Sequence, residues 1–173
     1  MRHFWRVSRR SWIVVLVLGL SGCGGVVTPF STNDFSAYES EGPATLEGQA
    51  FLRTRGGELR YCAGESVLLA PGTQYDIDVI TAFAFGRDVA LKRAGPAAQY
   101  WRESVCDAQG KFQFDGLPIG TWIVITDVRY SVAGSEQGGL MGKKVNLRAG
   151  RNRVIMNEQT LWSASPFGIG WPE

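Results

Sequence analysis

The sequence predicts an all-β fold, a seven-stranded antiparallel β-sandwich with one short helix, and three observations carry that prediction. Apolar and polar residues alternate through most of residues 44–157, the period of a strand with one buried and one wet face. Turn-forming residues recur between the alternating runs: Gly56-Gly57, Pro71-Gly72, Asp107 with Gly110, and Ala149-Gly150. A helical period competes in one stretch alone, within residues 73–101. A chain of 173 residues with 45% hydrophobic content suits one domain with tails.

The elements follow in order. Leu46, Gly48, Ala50 and Leu52 alternate in the first strand, and Gly56-Gly57 turns it. Residues 61–71 carry a buried-type strand bounded by Gly64 and Pro71-Gly72. Thr73 with Asp76 makes a weak capping box before Ile77, Ile80 and Ala84 at helical spacing. Ile77, Val79, Thr81 and Phe83 also alternate; the helix, or an irregular excursion, is the favoured reading, with an exposed loop after it. Strands resume near residues 100–106. Asp107 to Gly110 then shapes a hairpin, and Phe112 and Phe114 point inward while Lys111, Gln113 and Asp115 point outward.

The Leu117-Pro118-Ile119-Gly120 corner leads into a long strand. Trp122, Val124, Thr126 and Val128 share one of its faces and Ile123 and Ile125 the other, so it should be central and covered on both sides at its start. Val145 with Leu147, and Val154 with Met156, mark the last two strands.

Residues 106–126 resemble the signature of carboxypeptidase regulatory-like domains, which are transthyretin-like (prealbumin-like) sandwiches. The matching features are the polar turn Asp107 to Gly110, the alternating Phe112 and Phe114, the Leu117 to Gly120 corner, and Trp122 where that family usually has Tyr. Ala63-Gly64 through Pro71 resembles the family's upstream strand, so the likeness spans residues 44–157. It implies a binding, spacer or folding-support module and transfers no active site. Enzymes of this architecture need histidines, and His3, the sole histidine, lies in the leader.

That leader, residues 1–22, has a basic start and an apolar stretch too short for a comfortable membrane span. It ends Leu20-Ser21-Gly22-Cys23, which resembles the lipobox of bacterial lipoproteins, with Cys23 as the acylated first residue of the mature chain. Gly24 stands where an aspartate favours inner-membrane retention, so the expected location is the outer membrane, facing the periplasm. Residues 23–43, rich in Gly, Ser, Thr and acidic residues, read as a flexible tether; Phe30, Phe35 and Tyr38 leave a docking contact open.

Arg2, Arg6, Arg9 and Arg10 leave with the leader, so 14 of the 18 basic residues remain against 16 acidic ones, a net charge of −2. Nothing in that balance suggests a nucleic-acid partner. Cys62 and Cys106 form an even pair in an exported chain and read as a disulfide, with unpaired structural thiols as the alternative.

Two carboxylate pairs invite a functional reading. Asp76 and Asp78 are spaced like the start of a calcium loop, but nothing downstream completes one, so solvated carboxylates are favoured. Asp107 and Asp115 flank one strand and read as turn residues rather than a glycosidase pair. The aromatics Tyr100, Trp101, Trp162, Phe167 and Trp171 are the candidate binding surface, the last three in a tail spanning residues 158–173. The leading expectation is a non-enzymatic, membrane-anchored lipoprotein that contacts another envelope protein. The alternative is a carbohydrate-binding module using the aromatic tail and the loops of residues 73–101. No metal is expected, and no cofactor beyond the lipid on Cys23.

Overall fold

The computed structural model describes residues 28–84 and 95–162. The leader, Cys23, Phe167 and Trp171 lie outside the described residues. Two four-stranded sheets face one another. In the first, β1 (Ala44–Arg53) is central, with β5 (Lys111–Leu117) antiparallel and β8 (Gly150–Met156) parallel to it, and β2 (Leu59–Tyr61) antiparallel to its end. The second has the order β4 (Arg102–Val105), β3 (Ser66–Pro71), β6 (Gly120–Val132), β7 (Ser135–Leu147).

Two departures from the expected seven antiparallel strands have local causes. Gly64 takes φ +81° and Glu65 N–H bonds back to Cys62 C=O at 2.7 Å, so residues 59–71 break into β2 and β3, one in each sheet. That gives eight strands among the described residues. The chain also leaves β7 for the first sheet through Gly150, whose N–H bonds Pro43 C=O at 2.9 Å, next to where β1 starts. Entering at the same end as β1, β8 has to run parallel to it.

The alternation read from the sequence places the core. Leu46, Ala50 and Leu52 of β1, Phe112 and Phe114 of β5, and Val154 and Met156 of β8 meet Val67, Leu69, Trp122, Val124 and Met141 between the sheets. Gly48 pairs with Phe112, and a Cβ on Gly48 would lie 2.0 Å from the Phe112 ring, so the missing side chain is what lets the ring lie flat there. The hairpin turn follows its predicted chemistry: Asp107 Oδ1 accepts from Gln109 and Lys111 N–H at 2.8 Å each, and Gly110 takes φ +71°. At the next corner the buried Trp122 Nε1–H donates to Pro118 C=O at 3.1 Å.

β6 is covered on both sides, as its pattern predicts. Trp122 and Val124 face the core, while Ile123 and Ile125 pack with Ala70 and with Ile80 of a helix, α1 (Gln74–Ala84), laid on the outer face of the second sheet. Thr73 caps it, its hydroxyl accepting from Asp76 N–H at 3.1 Å and donating to Asp76 Oδ2 at 2.9 Å. Cys62 and Cys106 form a disulfide with 5.7 Å between Cα atoms, joining the end of β2 to the end of β4 and so one sheet to the other.

The described part of the expected tether, residues 28–43, is folded onto the sandwich. A 3-10 helix (Thr32–Tyr38) buries Phe35 completely, its ring 4.6 Å from Tyr100, and Tyr38 meets Trp122 edge-on at 4.9 Å. Three aromatics spaced along a polar segment bury enough apolar surface to offset the entropy of ordering it.

Candidate functional site

The aromatics singled out in the sequence are structural where the structure describes them. Tyr100 is 8% exposed and stacks on Phe35, so it is not a surface residue. Trp101 is half-buried, and its indole N–H donates to Asp76 Oδ1 at 2.8 Å. Trp162 lies over Gly142, where a Cβ would sit 2.5 Å from its ring, and its backbone N–H donates to Leu140 C=O at 2.9 Å. Trp101 and Trp162 pack on the outer side of the second sheet, and Tyr100 belongs to a separate cluster with Phe35 and Ala97.

Asp76 is not a solvated carboxylate either. It is fully buried at the start of α1, and that burial pushes its pKa up to about 6 against the opposing hydrogen bonds from Trp101 and Thr73. Asp78, one turn-side neighbour on, accepts from Thr28 N–H at 2.8 Å, Thr28 Oγ1 at 2.6 Å and Gln74 Nε2 at 2.7 Å. Partial burial raises its pKa, but those bonds outweigh it and hold the carboxyl below its usual range. The pair is a clamp: Asp76 holds the strand leading to β4, and Asp78 holds the incoming chain. Among the described residues no group of three His, Cys, Asp or Glu stands close enough to hold a metal ion.

The open surface is the other outer face, that of the first sheet. Alternation along β1 turns Thr45, Glu47, Gln49, Phe51 and Arg53 outward. Register places Gln113 and Arg153 on either side of Glu47, and Lys111 and Ile155 on either side of Gln49. These side chains line an open groove of about 650 Å³. Glu47 is shared by Arg151 at 3.0 Å and Arg153 at 3.5 Å; Asp115 accepts from Thr45 at 3.1 Å and from Gln113 at 2.8 Å. Gln49 donates to Gln109 C=O at 2.9 Å, which fixes its amide and leaves the side-chain oxygen as an acceptor.

One strand step past Gln49, Phe51 pairs with Tyr61 of β2, their rings 6.3 Å apart and 67° inclined, both half-buried on the outer face. A groove of amides and fixed charges beside an aromatic pair can hydrogen-bond hydroxyl groups and cover the C–H face of a ring. Sequence reasoning missed Phe51 and Tyr61. The signal was present: once Leu46, Gly48, Ala50 and Leu52 point inward, Phe51 is an aromatic on the outward face.

No family model matches this chain, and no curated protein matches it. Among solved structures it is similar to a proposed carbohydrate-binding protein, PA1324 from Pseudomonas aeruginosa, with TM-score 0.63 and 23% identity, covering 77% of this chain and 100% of that one. It is also matched to GBS52, the minor pilin of Streptococcus agalactiae, with TM-score 0.44 and 17% identity over 69% of this chain and 51% of that one. The first likeness shows a shared fold.

Proposed function

We propose that this chain is a non-enzymatic, lipid-anchored β-sandwich of the bacterial envelope that binds carbohydrate on the outer face of its first sheet. The observation that carries the reading is the Phe51–Tyr61 pair beside the polar groove of Gln49, Lys111, Gln113 and Arg153. A sugar ring needs this combination, an apolar plate for its C–H face and fixed donors and acceptors for its hydroxyls. The fold shared with a structure described as a proposed carbohydrate-binding protein supports it. Tyr100 and Trp101, on which either a glycan or a protein contact was expected, are packed away, so the reading rests on the first sheet's outer face instead.

The sandwich is read as transthyretin-like and carboxypeptidase regulatory-like on the turn, corner and strand motifs of residues 106–126. The anchor is Cys23, facing the periplasm from the outer membrane. Four residues separate Cys23 from Thr28, which is bonded to Asp78 on α1. At ~3.5 Å per residue the lipid lies within roughly 17 Å of that helix. The helix-covered side thus stays near the membrane, and the carbohydrate face, on the opposite side of the sandwich, looks away from it.

Glycan-array binding followed by titration tests the reading. Phe51→Ala should weaken saccharide binding about tenfold, the equivalent of ~1.4 kcal/mol. Array silence, with crosslinking on Gln113 or Lys111 trapping a protein in native envelopes, would replace it with the protein-contact reading. Acyl labelling that persists in Cys23→Ser would remove the anchor.

A further inference from the structure

We propose that the carbohydrate is acidic, and that its carboxylate is read by an arginine-lined groove at the end of the sandwich, where the aromatic pair gives way to the β1–β2 turn. The inference deepens the carbohydrate reading and rests on it. Arg53 follows Phe51 in the outward series of β1 and Arg55 stands on the turn, while Arg60, paired with Leu52, stands on the opposite face of β2 from Tyr61, so the arginines gather at the edge between the two sheets. Together with Tyr130 and Gln137 of the β6–β7 ribbon they line an open groove of about 630 Å³.

The charges there are unbalanced. Glu58 is the one carboxylate lining the groove, and it pairs with Arg60 at 2.7 Å. Glu158 sits nearby but accepts from the Arg53 backbone N–H, not from its guanidinium. Arg53 and Arg55 have no ion-pair partner among the described residues. This local positive excess sits on a mature chain with 14 basic and 16 acidic residues.

A guanidinium presents paired N–H donors that match the two oxygens of a carboxylate, which makes arginine suited to a planar acid group. The exposed Arg60–Glu58 pair is weakly held and exchanges readily for a ligand carboxylate. Tyr130, half-buried against the core, offers a second ring surface beside the charges. A uronic acid supplies both halves of this chemistry, a ring to cover and a carboxylate to grip.

Calorimetric titration of the full chain in detergent tests this with three probes: a panel of uronate-bearing oligosaccharides, the same oligosaccharides with the carboxyl groups reduced to alcohols, and inorganic phosphate. The acidic form should bind at least about tenfold tighter than its reduced form, and the preference should shrink as salt rises towards about 1 M. Arg53→Ala/Arg55→Ala should remove that preference while leaving the reduced form's affinity unchanged. Equal affinity for acidic and reduced forms overturns the inference and leaves the carbohydrate reading standing. A double variant that keeps the wild-type preference also overturns it, as does phosphate displacing the sugar at equal concentration. Binding of none of the saccharides overturns the carbohydrate reading itself.

Discussion

The two outer faces of this sandwich are built from the same alternating pattern and have opposite fates. On the second sheet, β6 puts Ile123 and Ile125 outward, and the chain covers them with α1, Trp101 and Trp162. On the first, the outward series of β1 is Thr45, Glu47, Gln49 and Phe51, and nothing described lies over it. An apolar outer face has to recruit a cover. A polar one with a single aromatic pair is stable bare and free to bind. Stability should therefore be concentrated on one face and ligand affinity on the other.

The largest test of that division is truncation on the covered face. Ile123→Ala removes a fully buried side chain beneath α1 and should cost about 2–5 kcal/mol of unfolding free energy. Gln113→Ala, on the bare face, should stay within about 0.5 kcal/mol. Urea titration of both variants reads the difference, and equal losses would break the comparison.

The cover should also carry a pH signature. Asp76 has its pKa raised from 3.8 to about 6, so the folded chain holds its proton more tightly than the unfolded chain does. Stability from this group is fully present below pH 3.8 and is lost as pH rises through about 6, an effect on the order of 3 kcal/mol. Asp78 works the other way: its lowered pKa stabilises above its unfolded value, and that contribution is lost as pH falls. Comparing wild type with Asp76→Asn isolates the first term. The variant should gain stability relative to wild type above pH 6, and parallel pH profiles would remove the buried acid from the account.

How far the sequence reveals each face follows the same split. Turn chemistry and alternation are local, so the Asp107 hairpin, the Leu117 to Gly120 corner, the two-sided burial of β6 and the Thr73 cap were all readable from neighbours in the chain. Docking is not local. Phe35 stacks on Tyr100 and Thr28 bonds Asp78 across long separations, and a polar, Gly-rich composition hides three aromatics that find partners only in the folded state. Tyr100 and Trp101 looked like surface binders for the same reason. Asp76 looked solvated because its partner, Trp101, comes from beyond the helix. Phe51 was hidden differently: its outward position was implied by the inward series around it, but its partner Tyr61 is set by the β1–β2 register.

A modest stability effect at the aromatic pair of the bare face carries the most functional information. Phe51 is half-buried and its ring meets Tyr61 at the rim of the sheet, outside the core between the sheets. Phe51→Ala therefore forfeits part of one edge-on aromatic contact, about 0.5–1.5 kcal/mol at most. A residue kept for packing would show its main effect in unfolding. One kept for a ligand would show it in binding, so the two measurements on one variant separate the roles. The expected result is a small shift in urea midpoint alongside about a tenfold loss of saccharide affinity. The reverse pattern, a destabilised sandwich with unchanged affinity, would make Phe51 and Tyr61 a strand-pairing device and move the carbohydrate site elsewhere on the bare face.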